Sequence, residues 1–145
     1  MASSSAIPPQ LTGQPRIEPE LAAPRPAVLL LDDDTTVREG MRRALRHELW
    51  DVIATPGCQE ALQHLHKPEL ALVITDLRMA PVDGWDFLFH CRIRRPSLPV
   101  FVVSGVPLRS CGGADHWATA YFQKPVDLEI LLTAVRSQLQ ASFSP

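Results

Sequence analysis

A doubly wound α/β domain with a five-stranded parallel sheet is the architecture this sequence predicts, on three observations. Short, uninterrupted apolar runs recur along the chain, too short for typical helices and without the period-2 alternation of half-exposed strands; strands buried on both faces look like this. Segments with helical apolar spacing separate these runs, so that strand and helix alternate five times. Four of the runs end in chemistry-bearing residues, in the order acid, acid, hydroxyl and amine.

Residues 1–26 hold six of the fourteen prolines, three consecutive serines and few large apolar groups, which predicts a disordered Pro-rich tail. Val28-Leu29-Leu30-Leu31 is the first strand and ends in Asp32-Asp33-Asp34. A helix follows from about Thr36 to Leu49, capped by Asp34 or Thr35, with Val37, Met41, Ala44, Leu45 and Leu49 on its buried face. Val52–Thr55 is a short strand closed by Pro56-Gly57, and a second helix spans roughly Gln59–His66. Ala71–Thr75 is the central strand, running straight into Asp76; Pro81, Asp83 and Gly84 then supply turn and cap chemistry for a helix from about Trp85 to Arg94. Arg92, Arg94 and Arg95 read as its solvated end, favourable to the helix dipole. Val100–Val103 is the next strand, ending at Ser104-Gly105. Residues 106–119 are poorly patterned, and Pro107 with Gly112-Gly113 predicts a short or irregular helix there. Ala120–Phe122 is the last strand, leading to Lys124-Pro125, and the final helix covers about Leu128–Leu139. The domain is expected over residues 27–141, with 142–145 a short C-terminal tail.

Composition bounds the function. A chain of 145 residues, 46% hydrophobic and 21% charged, makes one globular domain able to bury a core without staples. A net charge of −2 offers no bulk attraction to nucleic acid or membrane. No apolar run approaches the roughly 18–20 residues of a membrane span, and the N-terminus lacks the pattern of a secretory signal. Cys58, Cys91 and Cys111 are odd in number and widely spaced, as buried thiols of a reducing compartment would be, so a cytoplasmic location is expected.

In a right-handed doubly wound sheet all strand carboxyl ends share one edge. Asp32, Asp33, Asp76, Ser104 and Lys124 therefore converge, although they are up to 92 positions apart. Two unit charges 4 Å apart repel by about 4 kcal/mol at an effective dielectric near 20, so the clustered carboxylates must take up protons or bind a cation. All-oxygen ligands with room for water favour Mg²⁺ over zinc. An ionised aspartate beside such an ion and a lysine is a competent nucleophile toward phosphorus.

These residues lie in the segments VLLLDDDTTVR (28–38), VITDLRMAPVDG (73–84), VFVVSG (100–105) and YFQKPVDLEIL (121–131). Together they resemble the receiver domain of two-component response regulators, in its stand-alone, chemotaxis-regulator-like form. The resemblance implies a flavodoxin-like (βα)5 fold and an aspartyl phosphate at Asp76, donated by a histidine kinase or phosphotransfer protein. It implies Mg²⁺ held by Asp32, Asp33, Asp76 and the backbone carbonyl of Arg78. Ser104 matches the hydroxyl that turns toward the phosphate, Lys124 its ion-pair partner, and Tyr121 the switch aromatic; the Lys124-Pro125 bond is expected cis. The implied role is a signalling domain rather than an enzyme, with at most slow self-dephosphorylation. Its output would be protein–protein contact or phosphorelay, without nucleic acid or membrane. New bonds to the phosphate from Ser104 and Lys124 would supply about 3–6 kcal/mol, against about 5.5 kcal/mol for a full population switch.

Two departures stand out: Ala80 occupies the family's usual proline position, with Pro81 one later, and the interval from Ser104 to Lys124 is shortened. Two other readings remain. One is a receiver-like binding module that works without phosphorylation. The other is a haloacid-dehalogenase-like phosphatase, with Asp32 as nucleophile and Asp34 as acid/base, which leaves Asp76 without a role.

Overall fold

The computed structural model describes residues 24–79, 84–105 and 117–143. The elements run β1 (Ala27–Leu31), α1 (Thr35–Arg46), β2 (Asp51–Thr55), α2 (Cys58–His64), β3 (Leu70–Thr75), α3 (Gly84–Arg94), β4 (Val100–Ser104), β5 (Ala120–Gln123) and α4 (Leu128–Phe143). The five strands form one sheet in the order β2-β1-β3-β4-β5, with every neighbouring pair parallel. That is the predicted flavodoxin-like architecture. The short or irregular helix expected between β4 and β5, the Ala80–Pro81 departure and the N-terminal tail up to residue 23 lie outside the described residues. No helix among the described residues is long and apolar enough to cross a membrane.

Burial explains why the strands were readable. All five residues of β1 and of β4 are buried, and β3 is buried at every position but Ala71. Inner strands of a parallel sheet lie under helices on both faces, so neither face needs polar residues. One face meets α2 and α3 through Leu29, Leu31, Val73 and Val102 together with Ala61, Leu65, Phe87, Leu88 and Cys91. The other meets α1 and α4 through Val28, Leu30, Ile74 and Phe101 together with Met41, Leu45, Leu131 and Val135. The edge strands β2 and β5 are mostly half-buried.

Asp34 caps α1 as expected, its Oδ1 accepting from the backbone N–H groups of Thr36 and Val37 at 2.9 and 3.1 Å. Two expectations are corrected. First, α1 ends at Arg46 with His47 as its C-cap, so Leu49 lies beyond the helix and is 77% exposed. Second, Arg92 and Arg95 are not a solvated helix end. Arg95 donates to the carbonyls of Leu65, Lys67 and Leu70 at 3.4, 2.9 and 3.1 Å, tying α3 to the turn between α2 and β3. Arg92 reaches the carbonyls of Leu98 and Trp117. Cys58 and Cys91 are buried, and burial pushes the Cys91 thiol up to about 12.

Candidate functional site

Winding reverses between β1 and β3, because the chain passes from one to the other after placing β2 on the outer edge. A crevice opens at the carboxyl ends of such a strand pair, where no crossover covers it. Asp32 and Asp76 are the first residues past those ends, and the ladder carries one step into them: Asp76 N–H donates to the Leu31 carbonyl at 3.0 Å, and Asp32 N–H to that of Thr55 at 3.3 Å. Their backbones are therefore as rigid as the sheet. On the other side of β3, Lys124 N–H donates to the Ser104 carbonyl at 2.9 Å, which brings the lysine to the same edge.

The side chains then meet. Lys124 Nζ donates to Asp32 Oδ2 at 2.9 Å and to Asp76 Oδ2 at 2.8 Å. Asp32 Oδ1 accepts from the Asp34 N–H at 2.9 Å, and Asp76 Oδ1 from the Arg78 N–H at 3.1 Å. Asp32 is fully buried, Asp76 nearly so, and Asp33 is exposed. Ser104 is buried at the end of β4. Tyr121 lies three residues before Lys124, half-buried against the cluster on the α2–α3 face. The Lys124-Pro125 peptide is cis.

Burial pushes the Asp32 carboxyl above its ordinary value, against the opposing pull of the Lys124 and Asp34 hydrogen bonds. Burial also works to lower Lys124, but its bonds to Asp76 and Asp32 outweigh that and raise it. The two directions agree physically: the lysine keeps its proton, while the deeper carboxylate is only partly compensated by a cation it shares with Asp76.

The donor set suits a hard cation. Carboxylate oxygens of Asp32, Asp33 and Asp76 lie within 4.8 Å of one another, and one lysine leaves the three with surplus negative charge. Arg78, whose carbonyl was the further expected ligand, is exposed two residues past Asp76. An all-oxygen group open to water on the Asp33 side fits Mg²⁺. Beside it runs an apolar groove of about 550 Å³ lined by Val37, Gly40, Met41, Lys124, Val126 and Leu128 among others.

The sequence pattern assigned no role to Arg38 and only turn and cap chemistry to Gly84, and both do more here. Arg38 Nη1 donates to the Asp32 carbonyl at 2.8 Å, fastening the acidic turn to α1. Gly84 opens α3 directly against the acceptor loop: a Cβ there would sit 2.3 Å from the Asp76 carbonyl oxygen and 2.7 Å from Leu77 Cα. A glycine where a helix is due to begin was the available signal. Asp34, the acid/base of the phosphatase alternative, caps α1 through its Oδ1.

Residues 28–136 match the response regulator receiver domain family. Among curated relatives, the DNA-binding transcriptional regulator NtrC of Bradyrhizobium sp. (strain RP501 Parasponia) is 32% identical over 114 residues, 77% of this chain and 24% of that protein. Response regulator MprA of Mycolicibacterium vanbaalenii is 31% identical over 115 residues, 78% of this chain and 50% of that protein. The chain thus spans about a quarter to a half of the length of these relatives. Among solved structures, a response regulator receiver protein from Pseudomonas putida is 35% identical with a TM-score of 0.73, covering 79% of this chain and 98% of that one. The signal receiver domain of an HD domain-containing protein from Pseudomonas fluorescens Pf-5 is 27% identical with a TM-score of 0.75, covering 83% and 99%. The crevice between β1 and β3, the carboxylates gathered there and these matches lead to one conclusion: the chain belongs to the receiver domain family of two-component response regulators.

Proposed function

We propose that Asp76 accepts a phosphoryl group from a histidine kinase or phosphotransfer protein, and that the chain signals through contact with another protein or by passing the group onward. The observation that carries this reading is a nearly buried carboxylate on a rigid strand end, bonded to Lys124 and grouped with two further aspartates. In the transfer, a carboxylate oxygen of Asp76 forms a bond to phosphorus. The bond from phosphorus to the donor's imidazole nitrogen breaks, and that nitrogen keeps the electron pair. Asp32, Asp33, Asp76 and the Arg78 carbonyl would hold Mg²⁺, which when bound offsets the negative charge of the incoming group. Lys124 supplies a fixed ammonium at Oδ2, and the backbone N–H of Arg78 steadies Oδ1.

Less energy is available to a switch than two new bonds to the phosphate would supply. Lys124 already bonds Asp76, so its bond to a phosphate replaces an existing partner. Ser104 then adds at most one new charged hydrogen bond, about 1.5–3 kcal/mol, short of the roughly 5.5 kcal/mol for complete conversion. A partial switch, completed by a partner that prefers the phosphorylated form, follows from that arithmetic, with Tyr121 as the aromatic that reports it. A stand-alone format, a cytoplasmic location and an output independent of nucleic acid belong to the same proposal. The apolar groove beside Lys124 gives a protein donor a surface on which to seat.

Incubation with a small phosphodonor and Mg²⁺ tests the reading. Intact mass is expected to rise by one phosphate in the wild type and not in Asp76→Asn. Labelling that survives the substitution, or partner binding indifferent to both phosphodonor and substitution, overturns it.

A further inference from the structure

Arg92 sits at the end of α3 away from the carboxylates, yet it grips the segment that leads into β5, the strand just before Lys124. Its Nε donates to the Trp117 carbonyl at 2.7 Å and its Nη1 to the Leu98 carbonyl at 2.6 Å. Leu98 lies just before β4 and Trp117 just before β5, so one guanidinium spans the entrances of two adjacent strands. The Trp117 ring also rests on Phe89 of α3, 5.7 Å between centroids. Thr119 completes the anchor: its N–H donates to the Val100 carbonyl at 2.7 Å, and its Oγ1 accepts from the Val100 N–H at 3.0 Å. Burial lowers the Arg92 pKa, as expected for a guanidinium drawn in from water to reach these carbonyls.

β5 needs such an anchor. It is an edge strand of four residues, none fully buried, and among the described residues it pairs only with β4. Its Ala120, Tyr121 and Phe122 pack on the core but are only half-buried, and a one-residue slip moves a strand by about 3.3 Å and turns each side chain to the opposite face. Lys124, one residue beyond the strand, must meet two carboxylate oxygens at 2.8 and 2.9 Å. Hydrogen bonds of that length tolerate displacements of only a few tenths of an ångström.

We infer that Arg92 is a positioning residue for the acceptor site: by fixing the entrance of β5 it places Lys124 Nζ between Asp32 and Asp76. The inference rests on the reading of Asp76 as phosphoacceptor. It separates two functions that a general loosening of the fold would not. The acids proposed to hold the metal follow β1 and β3, which pair with each other and not with β5.

The test compares full-chain wild type, Arg92→Gln, Arg92→Lys and Thr119→Val in two assays: Mg²⁺ affinity by calorimetry, and the rate of labelling by acetyl phosphate at saturating Mg²⁺. For Arg92→Gln, which loses two charged hydrogen bonds, labelling is expected to slow about tenfold while Mg²⁺ affinity does not fall, because a displaced Lys124 ammonium competes less with the metal for Asp32 and Asp76. Arg92→Lys should recover part of the rate, because an ammonium reaches one carbonyl but not both. Thr119→Val should show the same pattern at about threefold, and decides the matter if Arg92→Gln does not fold. Labelling as fast as wild type in the variants, or an equal loss of labelling and Mg²⁺ affinity, overturns the role of Arg92. A wild type that binds Mg²⁺ but takes no phosphate overturns the acceptor reading itself.

Discussion

Replacing Gly84 with alanine places one methyl group where the structure has no room for it. The added carbon would lie 2.3 Å from the Asp76 carbonyl oxygen, 2.7 Å from Leu77 Cα and 2.9 Å from the Leu77 carbonyl oxygen. All three are backbone atoms, so no side-chain rotation relieves the contact, and carbon–carbon contacts are comfortable only near 3.5–4.0 Å. Either α3 lifts from the sheet or the acceptor loop shifts by about an ångström. Overpacking of this kind costs about 1–3 kcal/mol. Losing the Gly84 N–H bond to the Leu77 carbonyl, now 3.0 Å, adds about 0.5–1.5 kcal/mol. The sum, about 1.5–4.5 kcal/mol, corresponds to a fall of roughly 0.8–2.2 M in the urea midpoint at a slope of about 2 kcal/mol per M. Gly40→Ala is the control: apart from its chain neighbours and the backbone of its own helix, no atom lies within 4 Å of its added carbon, and alanine within a helix is favoured by about 0.5–1 kcal/mol. Urea unfolding of both variants, with Mg²⁺ titration of Gly84→Ala, checks this. A midpoint for Gly84→Ala within about 0.3 M of wild type would refute the argument from close approach.

Asp32 is raised above its ordinary 3.8 in the folded chain, so the native state binds its proton more tightly than the unfolded state does. Its contribution to stability therefore falls as pH climbs above 3.8 and levels off past the folded value. In metal-free buffer Asp32→Asn should lack that decline and unfold at higher urea than wild type at neutral pH; a wild type that gains on the variant as pH rises would contradict it. Arg95→Ala strips donors from three backbone carbonyls and should cost about 2–3 kcal/mol in urea unfolding, with Arg95→Lys recovering less than half; a loss below about 0.5 kcal/mol would show the contacts to be incidental. Leu128→Glu, at a position 37% exposed in the groove beside Lys124, should slow transfer from a protein donor while leaving acetyl phosphate labelling unchanged. Equal slowing of both would place the effect in the site rather than in docking.

The sheet and its acids were legible because they follow from rules that act locally or through topology. Inner strands buried on both faces must be apolar throughout, and Val28–Leu31, Leu72–Ile74 and Val100–Val103 are. Once these three and two edge strands are wound in parallel, the residues after them share an edge, which is how Asp32, Asp76 and Lys124 could be grouped from positions far apart. What escaped depends on atoms the sequence does not place. Leu49 continues the helical spacing of Leu45, yet α1 stops at Arg46, so the residue faces water. Arg92 and Arg95 lie off the apolar stripe and look solvated, but their partners include carbonyls 25 to 30 positions away. Gly84 passes for ordinary turn chemistry until Asp76 is seen beneath it. The pairing of Lys124 with both carboxylates, which lowers the energy available to a switch, is likewise a fact of three-dimensional arrangement.

The central claim is chemical: the phosphoryl group sits as an acyl phosphate on the carboxylate at position 76. Reducing the labelled chain with borohydride converts an acyl phosphate on aspartate to homoserine, and peptide mass mapping then locates the converted residue. Homoserine is expected at position 76, dependent on Mg²⁺ and on prior exposure to phosphodonor. Conversion at Asp32 or Asp33 instead, or a label that resists borohydride and maps to a histidine or serine, would contradict it.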